Sequence, residues 1–213
     1  MKITLPENIA EITLGQFIKY EELIERKLDD YNFNKRKIEI FSKIPFHYLD
    51  KVKQVDFERI LNQIDTALSQ DAEFKPRFVM HDIEFGFIPD FDKMTLAEYA
   101  DLTKHGVDKE SLHNLMAVLF RPIVNTEGEK YSIMQYEGTA EFSEMMKDMP
   151  LNIVNGALVF FCNLAKELQE ATLNYLTEEL RRELQPKTTS KIGDGIRQLR
   201  CWLKTISRKW KTY

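Results

Sequence analysis

Apolar positions along the first seventy residues recur at spacings of three and four. Phe17, Tyr20, Leu23, Ile24 and Leu28 share one stripe and predict a helix over 14–28. Asp29, Asp30 and Asn32 break that pattern, and a second helix is expected over 35–43, ending before Pro45, with a short one through Tyr48 and Leu49. Phe57, Ile60, Leu61, Ile64 and Leu68 predict the next, over 56–69. At Phe74 the period shortens to two. Phe78, Met80, Ile83, Phe85 and Phe87 flank the polar pair His81-Asp82, with Pro76 and Pro89 at the ends, which predicts a β-hairpin over about 75–88. Helices follow over 96–103, stopped by Gly106, and over 109–120, with Leu112, Leu115, Met116, Leu119 and Phe120 buried. Pro122, Ile123 and Val124, set against Tyr131 to Met134 across Asn125-Thr126-Glu127-Gly128, predict a second hairpin.

The segment 151–184 is the strongest helical run. Its first turns are apolar nearly all round (Ile153, Val154, Ala157, Leu158, Phe160, Phe161, Leu164, Ala165), which predicts a buried helix with Phe160 and Phe161 in the core. Its later turns narrow to a stripe of Leu168, Leu173, Leu176 and Leu180, and the helix is expected to project. After Pro186 comes a short linker. Ile196, Leu199, Leu203, Ile206 and Trp210 then recur at three, four, three and four, the pattern of an amphipathic helix.

Two helix starts are written in the same phrase. Ile12-Thr13-Leu14-Gly15-Gln16-Phe17 and Met94-Thr95-Leu96-Ala97-Glu98-Tyr99 each place Gln or Glu three residues after a Thr, the capping box in which hydroxyl and side-chain carbonyl or carboxylate satisfy each other's backbone donors. In both halves the capped helix is followed by a second helix that runs into Lys43-Ile44-Pro45 or Arg121-Pro122, so an internal duplication of a capped helix pair is one reading of the chain. The predicted fold is mainly α with two small β-hairpins. Its body spans 1–186, divisible into 1–73 and 90–186 around the 75–88 hairpin, and 187–213 forms a separate linker and helix.

Charge separates the same two parts. The 213 residues carry a net charge of −4, but 187–213 hold eight basic side chains against Asp194 alone, +7, which leaves −11 on the body. Such a tail meets an acidic protein surface, of this chain or a neighbour, or a nucleic acid or membrane surface, or is simply solvated. Trp202 and Trp210 interleaved with its cations favour a contact role. Candidate partner-binding residues are Arg197, Arg200, Trp202, Leu203, Lys204, Ile206, Arg208, Trp210 and Lys211.

Candidate chemistry is sparse. Cys162 and Cys201 are too few for a disulfide framework or zinc site, and Cys162 is expected in the core. His47, His81, His105 and His113 lack metal-ligand spacing and are expected at the surface or in turns. The carboxylate pairs Glu21-Glu22, Asp90 with Asp92, and Glu178-Glu179 read as solvated charge. No nucleophile elbow, Walker loop or dinucleotide fingerprint occurs, so neither an enzyme nor a cofactor is expected. Arg121 reads as a helix C-terminal cation before the Pro122 stop, although an Arg there can also reach a carboxylate. No secretory leader is evident, and no apolar stretch approaches the roughly 20 residues a membrane-spanning helix needs, so a soluble protein of a reducing compartment is expected.

The order of phrases carries a resemblance. Ile12 to Phe17, Met94 to Tyr99, Leu115 to Ile123 and Gly156 to Phe161 together resemble, over residues 3 to 184, the tail assembly chaperone-like and related tail or head-to-tail region proteins of tailed bacteriophages. The resemblance implies a non-enzymatic role in virion assembly. It implies binding to other phage proteins, the tape measure or tail and connector components, and is compatible with a homo-oligomer. The site would be the host cytoplasm during assembly, or the virion itself. The basic tail departs from that pattern, which leaves open a structural part in the virion connector or tail and, as a lesser reading, nucleic-acid binding through the tail.

Overall fold

In the computed structural model, residues 5–106 and 108–183 are described; side chains of the long last helix are described only in part beyond Phe161. The chain divides after Gly156 into two units. In the first, α1 (Leu14–Glu25), α2 (Asp30–Ser42) and α3 (Gln54–Leu68) are followed by β1 (Arg77–Met80), β2 (Ile83–Phe87), α4 (Leu96–His105), α5 (Leu112–Leu119), β3 (Phe120–Glu127) and β4 (Lys130–Ile133). Short 3₁₀ turns occupy Ile9–Glu11, Phe46–Lys51, Phe91–Lys93 and Met145–Asp148. A final helix, α6 (Leu151–Glu183), starts in this unit and continues through the second.

The helix starts follow local chemistry. Thr13 and Thr95 cap α1 and α4 with both bonds of the box formed in each. Asp29 was expected to be part of a break and is instead the N-cap of α2, its carboxylate accepting from Asn32 N at 3.0 Å, so α2 begins at Asp30 rather than near residue 35. The same acid that stops one helix satisfies the orphan donors of the next. Lys43 ends α2 in the left-handed region, at φ 59°.

The two expected hairpins exist but are not separate. β2 pairs with β3, Phe85 opposite Pro122 and Phe87 opposite Phe120, so all four strands form one antiparallel sheet in the order β1-β2-β3-β4. The architecture is therefore mixed, helices with a small sheet. The first hairpin turns at His81 and Asp82, both at positive φ (52° and 61°), the geometry a two-residue hairpin loop demands. Phe120 was expected to end a helix and starts a strand, because α5 runs directly into β3 at a residue with φ −119° and ψ 124°. The capped helix pairs consequently lead to different things, α2 to a 3₁₀ turn and α5 to a strand.

Alternation places Phe78, Met80, Ile83, Phe85, Phe87 and Phe120 on one face of the sheet, and their rings interlock: Phe78 to Phe85 at 5.4 Å, Phe78 to Phe120 at 5.3 Å, Phe87 to Phe120 at 5.1 Å. Ile12, Leu14, Ile38, Ile64, Met116 and Leu119 are among the helical and loop residues buried with them. On the opposite face Gly86 leaves room for Tyr131; a Cβ there would lie 2.5 Å from the Tyr131 ring. Leu14 N donates to Met149 O at 2.9 Å and Leu151 N to Ile12 O at 2.8 Å, which fastens the start of α1 to the start of α6. Gly156 lets α6 cross the chain at Glu73, whose carbonyl oxygen would be 2.3 Å from any Cβ.

In the second unit α6 presents Asn163, Glu167, Glu170, Asn174 and Thr177 as an exposed polar face. Phe161 is buried as expected, whereas Phe160 is only half-buried, its ring 5.9 Å from that of Phe161. Leu173, expected on the apolar stripe, is exposed. Residues 184–213, including the predicted tail helix and Cys201, lie outside the described residues, as do the side chains of Cys162 and most of the later stripe.

Candidate functional site

The most unusual polar geometry grows out of the two capping boxes. In α1, Gln16 Oε1 accepts from Thr13 N at 3.0 Å while its amide nitrogen donates to Ile40 O of α2 at 3.0 Å. In α4, Glu98 Oε2 accepts from Thr95 N at 2.6 Å and from the Thr95 hydroxyl at 2.7 Å, while its other oxygen takes the Arg121 guanidinium of β3. Each box residue therefore ties its helix start to a second element. The identities match the jobs: an amide can donate to a carbonyl, and a carboxylate can pair with a guanidinium.

Arg121 is thus neither a helix terminus nor a solvated cation. It is the second residue of β3, and it and Glu98 are buried, with side-chain exposures of 8% and 5%. The guanidinium carbon lies 5.4 Å from the centre of the Tyr136 ring, and the Tyr136 hydroxyl donates to Asp101 of α4 at 2.5 Å. Burial first, and then the Asp101 hydrogen bond, hold the Tyr136 hydroxyl far above its ordinary range, so it stays a donor. Arg121 Nε has no hydrogen-bond partner among the described residues. Arg121 stands directly across from Gly86 in the β2–β3 register, where the space above Gly86 is taken by the Tyr131 ring and Ile123.

Other charges are also engaged internally. Lys35 is buried, bonds Asp50 at 2.6 Å and lies 3.9 Å from the Phe46 ring centre; Lys37, also buried, pairs with Asp65. Glu21 was expected to be solvated and instead bonds Lys109 at 2.6 Å. Asp90 caps the Phe91–Lys93 turn and pairs with Lys93 at 3.0 Å, and the Lys93 contact lowers its pKa. His47 and His81 are exposed as expected, His81 bonding Asp148 at 3.1 Å. His105 is buried and His113 half-buried, against expectation, because both fall on inward positions of α4 and α5, and burial lowers the pKa of each.

A groove of about 940 Å³ lies between the start of α1, the end of α2 and the Met145–Asp148 turn. Ile18, Phe41 and Ile44 contribute apolar surface, and Lys19, Lys43 and Lys147 are balanced by Glu11, Glu22 and Asp148. Among the described residues no three His, Cys, Asp or Glu side chains converge as metal ligands, and no helix is long and apolar enough to cross a membrane. No protein-family model, curated protein or solved structure matches the chain.

The nine residues singled out for partner binding, from Arg197 to Lys211, lie outside the described residues. What sequence reading missed is the partnership of Glu98 with Arg121. Both residues were visible, one as a cap and one as a cation able to reach a carboxylate, but nothing local joined them across 23 positions.

Proposed function

We propose that this chain is a non-enzymatic bacteriophage protein that acts in tail or virion assembly by binding other phage proteins, such as the tape measure or tail and connector components. It works in the host cytoplasm during assembly or within the particle. Its main support is the use made of the buried charges Glu98, Arg121, Lys35 and Lys37. Glu98 and Arg121, Lys35 with Asp50, and Lys37 with Asp65 are each engaged in joining one element to another. The phrases behind the phage resemblance have the same character: two are capping boxes, one is the α5–β3 junction, and one begins at the Gly156 crossing.

The surface adds a second support. Ile24, Leu28 and Tyr31 follow one another, exposed, from the end of α1 into α2, and Tyr31 bonds Asp50 at 2.6 Å, two residues beyond exposed Tyr48. Exposed tyrosines are enriched at protein interfaces. Mass spectrometry of purified virions tests where the chain acts. Stoichiometric presence assigns it to the particle, and absence from virions together with recovery bound to tail proteins from infected cells assigns it to transient assembly. Absence from both contradicts the proposal.

A further inference from the structure

Helix α4 is attached differently from its neighbours. α5 buries Leu112, Leu115, Met116, Ala117, Val118 and Leu119, whereas among the described apolar side chains of α4 Leu102 alone is buried and Leu96 is 83% exposed. The remaining anchors of α4 are polar: Glu98 on Arg121, Asp101 on the Tyr136 hydroxyl, and buried His105. Elements with few buried apolar contacts are the ones that open locally below the cost of global unfolding. A buried ion pair fixes geometry while it is intact but contributes little net stability, because both charges regain hydration once separated.

We propose that α4 is a releasable cover. It opens from β3 as a unit with its capping box while α5 and the sheet stay folded. The opening uncovers the Arg121 guanidinium, whose Nε is unpartnered among the described residues, and the Tyr136 ring beside it. The motion needs no partner, so it stands apart from the assembly role.

Hydrogen exchange of the full-length chain tests this. The amides of Tyr99 to Gly106, which close the α4 ladder, are expected to exchange roughly tenfold or more faster than those of Leu115 to Leu119, with little dependence on low denaturant concentrations. Glu98→Gln should accelerate α4 by about a further tenfold and leave α5 unchanged. Tyr136→Phe, which keeps the ring over Arg121 and removes only the bond to Asp101, should move α4 in the same direction by less and serves if the first variant folds poorly. If α4 and α5 of the unaltered chain exchange together with the same denaturant dependence, or if both variants accelerate the two helices equally, α4 is an integral part of the core and the proposal is wrong.

Discussion

Glu98 and Arg121 form a buried ion pair between the first turn of α4 and the second residue of β3, in a position where the corresponding residue of α1, Gln16, makes a neutral bond to a main-chain carbonyl. One helix-start phrase has been given two different second contacts, and the choice of Gln or Glu follows the partner. Exchanging the two should therefore fail at both places. Gln16→Glu sets a carboxylate against Ile40 O and removes a donor, for a loss of about 1 to 3 kcal/mol. Arg121→Met leaves Glu98 buried without its counter-charge and should cost about 3 to 5 kcal/mol, while the double variant Glu98→Leu with Arg121→Met should cost less than the sum of its parts. Urea unfolding of the unaltered chain, Glu98→Leu, Arg121→Met and the double variant gives the coupling. Strict additivity would show that the pair does not act as one unit.

The caps themselves are the simplest test. Thr13→Ala and Thr95→Ala should each lose about 1 kcal/mol. The loss at Thr95 should be the larger, since its hydroxyl donates to the Glu98 carboxylate at 2.7 Å, whereas the Thr13 hydroxyl reaches the neutral Gln16 amide oxygen only at 3.5 Å. Equal losses, or losses of only a few tenths at both, would mean that the second bond of Thr95 is not formed in solution.

These caps were legible in the sequence because every partner lies within three residues. So was the His81-Asp82 turn. The β2–β3 pairing was not, because nothing near Phe85 or Phe120 announces a strand partner that lies beyond two intervening helices. Gly86 and Gly156 were missed for the same reason: the Tyr131 ring and the Glu73 carbonyl that require them are remote in sequence. Asp29 was misread because an acid after a helix and an acid before one look alike until the next helix is placed.

Gly156→Ala should be among the most damaging small changes in the chain. The added methyl would meet a main-chain oxygen, which cannot rotate away as a side chain can, so a loss of about 1 to 3 kcal/mol is expected. Gly128→Ala, in open space at φ 63°, should cost about 1 kcal/mol from backbone conformation alone. Thermal unfolding of both variants separates the two causes; a benign Gly156→Ala would mean that α6 does not cross at Glu73.

Stability should depend on pH through His105 and His113. Burial lowers both pKa values from the ordinary histidine value of about 6.5, so the unfolded chain binds protons that the folded chain refuses. Their contribution is complete above that value and declines as pH falls below it. The carboxylates Asp50, Asp90 and Glu144, held low by bonds to Lys35, Lys93 and Lys147, add a separate loss at more acidic pH. Melting temperatures measured from pH 7.5 to 5 should fall, and the His105→Gln, His113→Gln double variant should flatten the profile. An unchanged slope in that variant would mean that neither ring is buried neutral.

The basic segment separates protein from nucleic-acid binding. A helix laid in a protein groove uses its apolar side, so Leu203→Ala should weaken the complex more than Lys204→Ala, with modest salt dependence. Nucleic acid would give the reverse, with the logarithm of affinity falling by roughly one unit per phosphate contact for each tenfold rise in salt. Titration of the full chain and both variants against tail proteins and against duplex and single-stranded DNA at two salt concentrations reads the difference.

As proposed above, the chain works by binding other phage proteins. Co-expression of the full-length chain with the tape measure and the tail and connector proteins of the same phage, followed by affinity capture and native mass spectrometry at moderate salt, tests it most directly. A complex of fixed stoichiometry with at least one of them is expected. Recovery of the chain alone from every co-expression would contradict it.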